Sequence, residues 1–136
     1  MPSLDSKYRA VRSLTRSLAA HMSAEDQMVQ SCPEASPVKW HQAHTTWFFE
    51  TFVLRPFLRK YKLFREEFHH LFNSYYISLG LEIPEKELRS CFSRPSLDEV
   101  MDFRAHVDRE MEKLLSDAAD KEVCRRVVLG LNHGLP

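Results

Sequence analysis

Only three glycines occur in 136 residues, and Gly80, Gly130 and Gly134 form no phosphate-binding loop. No GxSxG elbow is present, and no Ser–His–Asp or Cys–His constellation stands at a recognisable spacing. Most familiar enzyme signatures are therefore excluded. Cysteine is scarce as well. Cys32, Cys91 and Cys124 are widely spaced, odd in number and in no CxxC arrangement, which argues against a disulfide scaffold and against a thiolate zinc site. They read as reduced structural thiols. No run approaches the roughly 18–20 apolar residues of a membrane span. The N-terminus carries Asp5, Lys7, Arg9 and Arg12 but no apolar core of the signal-peptide kind, so a cytoplasmic location is expected by default. Charge of one sign is also lacking. Nineteen basic residues balance nineteen acidic ones, which removes the electrostatic case for nucleic acid or an anionic membrane as the main partner.

What remains is an ordinary globular composition, 43% hydrophobic and 28% charged, on a chain long enough for one domain with a real core. Leu4, Tyr8, Val11, Leu14, Leu18 and Met22 recur at helical spacing and predict an amphipathic helix from Leu4 to about Met22. Ser23 and Asp26 can start a further short turn. SCPEASP, residues 31–37, reads as a loop. The next run, SPVKWHQAHTTWFFETFVL at 36–54, predicts a second helix capped by Ser36 with Pro37 at its first position. Trp40, His44, Trp47, Phe48 and Thr51 share one face of it. Pro56 is expected to end or kink this helix. A shorter helix is read from about Glu66 to Leu79, with Gly80 placed to end it. Residues 82–95 read as a long connection. Ser96 and Glu99 form a capping box, followed by Val100, Phe103, Val107, Met111 and Leu114 on a helix to about Ala118. Asp120 can cap a last helix with Val123, Val127 and Leu131 on its apolar side. With no convincing strand, the expected fold is all-α: an up-and-down four-helix bundle whose last helix is short.

The candidates for chemistry are histidines, of which there are seven. His44 lies centrally in the aromatic stripe, where an imidazole is either a satisfied core group or a metal ligand. His41, three residues away, is less central. His69 and His70 point in different directions on any helix and make no chelating pair. His106 reads as solvated surface on the outer side of its helix. His133, near the C-terminus, is ambiguous alone. Tyr75 and Tyr76 read as packing, Glu66 and Glu67 as a solvated face, and Asp98 and Glu99 as a helix start.

Three stretches then resemble one family: SPVKWHQAHTTWFFETFVL at 36–54, LFNSYYISLG at 71–80 and SRPSLDEVMDFRAHVD at 93–108. YRAVRSL at 8–14 and VLGLNH at 128–133 fit as well. Together they are similar to the N-terminal DinB-like domain of the ergothioneine-biosynthesis sulfoxide synthases and the related ovothiol enzymes. The resemblance implies a DinB-like four-helix bundle spanning residues 1–136 as a single domain. It implies a three-histidine site for non-haem iron(II), one ligand from the WHxAH segment and two from an HExxH-like pair on the last helix. His44 matches the first ligand and His133 the first member of the pair. The parent reaction forms a C–S bond between a thiol, cysteine or γ-glutamylcysteine, and trimethylhistidine with O2.

The pattern departs from the family after His133, where Gly134, Leu135 and Pro136 follow in place of an acid and a second histidine. The expectation is a chain without the third ligand and without the C-terminal formylglycine-generating-enzyme-like domain. Such a chain is expected to be inactive alone and to hold iron(II) weakly, because affinity for this metal depends on the complete ligand set. The alternative reading is a standalone bundle that acts as a dimerising binding module without catalysis, and a third is a truncation with no independent role.

Overall fold

The computed structural model describes residues 3–29, 32, 36–72, 95–116 and 120–133. Among them every regular element is helical. The order is α1 (Leu4–Ala19), a 3-10 turn (Asp26–Met28), α2 (Val38–Phe49), a π turn (Glu50–Leu54), α3 (Arg55–Phe57), α4 (Glu66–Leu71), α5 (Leu97–Ser116) and α6 (Lys121–His133). The helices α1, α2, α5 and α6 form the bundle: α1 and α2 pack on each other, and each also packs on α5 and α6. The last of them has 13 residues against 20 in α5. No helix among the described residues is long and apolar enough to cross a membrane.

Ser3 caps α1 by accepting the Ser6 N–H at 3.1 Å. The helix ends at Ala19, three residues before the expected Met22. The Gln27 amide folds back onto the Ala19 and Met22 carbonyls, each at 3.4 Å, and so supplies donors where the helix runs out of them. Ser23 and Asp26 then cap each other's N–H groups at 3.0 and 3.2 Å and start the 3-10 turn. The buried face of α1 also differs from the apolar stripe. Tyr8, Arg12 and Ala19 are buried, while Leu14 and Leu18 are 40% and 50% exposed. The helix is turned so that a guanidinium, not a leucine, reaches the interior.

Pro37 is the cap of α2 rather than its first helical residue; its backbone is extended and its carbonyl accepts the His41 N–H at 3.1 Å. Lys39, Gln42, Ala43, His44, Thr46, Trp47, Phe48 and Phe49 are all buried, so α2 is enclosed on most of its circumference. Pro56 does not end this helical path. The backbone widens into the π turn at Glu50 and continues through Phe57 before Leu58 becomes extended. A wider turn moves the carbonyl four residues back away from the proline ring. That carbonyl, on Phe52, cannot receive an N–H from Pro56, and Arg126 of α6 donates to it instead at 3.0 Å.

Ser96 and Glu99 form the expected capping box at the start of α5. Val100, Phe103, Val107 and Met111 are fully buried along it. Asp120 caps α6 through the Val123 N–H at 2.9 Å, and Val123, Val127 and Leu131 face the core. The expected helix from Glu66 is present and runs to Leu71 with Phe72 as its cap. Its expected continuation to Leu79, and the connection through residue 94, lie outside the described residues.

Gly130 sets how closely α6 approaches α2. A Cβ there would stand 2.7 Å from Cε1 of both Phe48 and Phe49, closer than van der Waals contact permits. Gly130→Ala should therefore destabilise the bundle. Overpacking of rigid buried rings costs about 1–3 kcal/mol, offset by the ~1 kcal/mol that alanine gains in a helix. Urea unfolding of the variant is expected to show a lower midpoint with an unchanged m-value; an equal or higher midpoint would show that the rings yield freely.

Candidate functional site

His44 is 4% exposed and lies between two indoles on its own helix. The spacing of 40, 44 and 47 makes this possible, since residues three and four apart stack along one helix face. The imidazole is parallel to Trp40 at 4.5 Å between ring centres and 12° between planes, and to Trp47 at 5.5 Å and 14°. Its Nδ1 is 2.7 Å from the Phe72 carbonyl oxygen, just past α4. A carbonyl can only accept, so Nδ1 carries the proton and the lone pair of the neutral ring is on Nε2. A backbone carbonyl on one ring nitrogen is the arrangement that orients metal-ligating histidines. The ring is held in one plane and one tautomer.

The other histidines fall apart from it. His41 is exposed and meets Trp40 edge-on at 5.4 Å. His69 is half-buried, with Nδ1 3.4 Å from the Arg55 guanidinium and its ring 6.3 Å from Trp47. His21 is exposed. His133 stands in the last turn of α6, a helix that packs on α2. The side chains of His70 and His133 lie outside the described part. Among the described residues no group of three His, Cys, Asp or Glu is arranged to hold a metal ion. Cys32 is exposed and Cys124 half-buried, while Cys91 is outside the described residues.

His106 corrects the expectation of a solvated surface group. The segment after α3 turns at Lys60, in the left-handed region at φ 63°, and returns over this side of α5. Tyr61 and Phe64 come to 5.6 and 5.5 Å from the His106 ring. Its Nε2 is buried and has no hydrogen-bond partner among the described residues.

Beside it is a buried acid that sequence reasoning missed. Glu50, the first residue of the π turn, is fully buried. One carboxylate oxygen, Oε2, accepts the Tyr61 hydroxyl at 2.5 Å and the Phe64 N–H at 3.2 Å. Oε1 is buried without a partner among the described residues. Burial raises the carboxyl pKa above its ordinary 4.5, against the lowering effect of the two hydrogen bonds and of His106 and Arg55. Burial, with the Glu50 hydrogen bond behind it, also pushes the Tyr61 hydroxyl up. The only sequence signal was a single acid inside the aromatic run WFFETF.

A second polar assembly, also missed, joins α1, α2 and α5. Arg12 donates through Nε to Asp108 at 2.8 Å and through Nη2 to Thr46 at 2.7 Å. Tyr8 donates to the same Asp108 oxygen at 2.6 Å. Arg104 donates to the carbonyls of Gln42 and Arg12 at 3.2 and 3.1 Å and to the Thr15 hydroxyl at 3.0 Å. On α1 its residues fall at positions 8, 12 and 15, a helical stripe of polar groups rather than apolar ones.

The Glu50 cluster fixes a pH dependence. Because folding raises its pKa, the folded chain binds this proton more tightly than the unfolded one. The stability from this group is complete below pH 4.5 and is lost as pH rises through the raised value. Glu50→Gln keeps an oxygen for Tyr61 and Phe64 and has no charge to bury. Its stability relative to wild type should grow between pH 4.5 and 7, by up to about 1.4 kcal/mol per pH unit. Urea midpoints across that range check it, and a difference that stays flat with pH would acquit Glu50.

No curated protein matches the chain. The sequence pattern of the DinB superfamily, by contrast, matches residues 7–134, from the first turns of α1 to just past α6. An all-helical bundle with that match over nearly its whole length belongs to the DinB superfamily.

Proposed function

We propose that this chain is the N-terminal metal-binding domain of a non-haem iron(II) sulfoxide synthase of the ergothioneine type. The reaction of such an enzyme joins cysteine or γ-glutamylcysteine to trimethylhistidine through a C–S bond with O2. The observation that carries the reading is His44. Its ring is buried between Trp40 and Trp47 and tied at Nδ1 to the Phe72 carbonyl, inside the WHxAH segment that resembles the family. That is the donor geometry a ligand histidine needs: a ring fixed through Nδ1–H on a carbonyl, so that Nε2 is the nitrogen that would coordinate. His133, in the last turn of α6, is the second proposed ligand position. An iron(II) centre, when bound, supplies the sites where O2 and a thiolate meet. The chain's own part is to present the imidazole without rotational freedom and to keep water from it with two indoles.

Cobalt(II) titration by calorimetry on the apo chain tests this. Saturable binding is expected, weakened at least about tenfold in His44→Gln and in His133→Gln. Both variants should keep the wild-type circular dichroism. An absence of saturable binding, or binding indifferent to His44→Gln, would overturn the metal reading.

A second reading is favoured by a separate observation. Leu14 and Leu18 on α1, and Val128 and Leu129 on α6, are 40–60% exposed. A surface of that kind suits a helical bundle that pairs with a second copy as a binding module. Light scattering at high concentration should then give a dimer mass that falls to the monomer in Leu14→Lys/Leu18→Lys. A strictly monomeric wild type would dispose of it.

A further inference from the structure

A cleft of about 190 Å³ opens between α1 and α5 on the side of the bundle where Arg12 and Arg104 lie. Its lining includes four arginines, Arg9, Arg12, Arg16 and Arg104, but only two carboxylates, Asp108 and Glu112. The chain as a whole is neutral, so the excess in the lining is local, and Asp5, which pairs with Arg9 from beside the cleft, reduces it to one positive charge.

The two carboxylates are already engaged. Asp108 is taken by Arg12 and Tyr8. Glu112 pairs with Arg9 at 3.6 Å, and Arg9 is further held by Asp5 at 3.2 Å. Arg104 is left with neutral partners only. It is 3% exposed and bonds to two carbonyls and a hydroxyl, with no ion pair among the described residues. Arg16 is exposed at the rim and makes neither a hydrogen bond nor an ion pair among the described residues.

A buried guanidinium with no carboxylate in direct contact is unusual, because desolvation of the charge is not returned by hydrogen bonds to neutral groups alone; Asp108 acts on Arg104 only from a distance. Burial first and the nearby Arg12 second push the Arg104 pKa down to about 9, against the raising effect of Asp108. The cleft volume equals that of about six waters, so it has room for a small hydrated ligand. The lining is polar, and guanidinium forks match the oxygens of phosphate in pairs.

We propose that this cleft binds the phosphoryl group of a small metabolite, held between the rim cation Arg16 and the buried Arg104. A phosphate monoester carries a charge of about −1.5 to −2 at neutral pH and offers three oxygens to the two guanidinium groups, where a carboxylate offers one charge and two oxygens. The site is separate from His44 and does not rest on the metal reading.

Inorganic phosphate is the probe, followed by calorimetry and by thermal unfolding of the full chain. Saturable binding is expected in the millimolar range or tighter, with a raised melting temperature. Acetate at equal ionic strength should raise it less. Arg16→Ala removes no hydrogen bond or ion pair seen among the described residues, so its melting temperature without phosphate should stay close to wild type while its phosphate affinity falls at least about fivefold. Arg104→Met should remove the phosphate effect altogether. No saturable binding by about 20 mM phosphate would overturn the proposal. So would equal affinity in Arg16→Ala, or an acetate effect as large as that of phosphate.

Discussion

One guanidinium ties the bundle together. Arg12 leaves α1, takes the carboxylate of Asp108 on α5 and the hydroxyl of Thr46 on α2, and is almost closed to solvent. Charge placed so deep must be answered, and the answers fix three helices relative to one another. The Tyr8 hydroxyl supports the same carboxylate, and Arg104 closes the back through the carbonyls of Arg12 and Gln42. Gln42 in turn donates to Gln27 at 2.6 Å, and Gln27 stops α1. The end of one helix and the positions of two others thus belong to a single connected polar network. The apolar core around Trp47, Phe49, Phe103 and Met111 is fully buried, but it is indifferent to small rotations in a way hydrogen bonds are not.

This explains which parts of the fold were legible in the sequence. Val100, Phe103, Val107 and Met111 were found by spacing because apolar burial is a local, periodic signal. The boxes at Ser96/Glu99 and Ser23/Asp26 were found because each closes within three residues. Arg12 was read only as one of the N-terminal charges, because its reasons for burial lie 96 and 34 residues further on. Leu14 and Leu18 were misread for the same reason: once Arg12 and Thr15 face inward, they cannot. Pro56 was expected to end or kink the helix; that the path passes through a π turn and runs on to Phe57 was not legible, because Arg126, which takes the freed carbonyl, is 74 residues away.

The candidate site divides along the same line. His44 in an aromatic stripe could be located but not interpreted, since the Phe72 carbonyl that holds it belongs to another element. His106 looked solvated until the segment after α3 folded across it. Glu50 was a lone acid in an apolar run, and nothing nearby in sequence says that Tyr61 and Phe64 return to meet it. Charged side chains in the interior are the features pattern reading handles worst.

The π turn gives the bundle a phase as well as a shape. One surplus residue at Glu50–Leu54 rotates everything after it by about 100° relative to the face that carries His44. Two angular settings therefore coexist on one continuous rod, the first serving the indole-stacked imidazole and the second serving Phe57 and the return of Tyr61. A lineage that lost a single residue here would recover a regular helix and keep its hydrophobic composition almost unchanged. It would also swing the downstream half out of step, part Tyr61 from Glu50 and leave Arg126 facing a carbonyl that had moved away. Length in this stretch is thus constrained more tightly than side-chain identity.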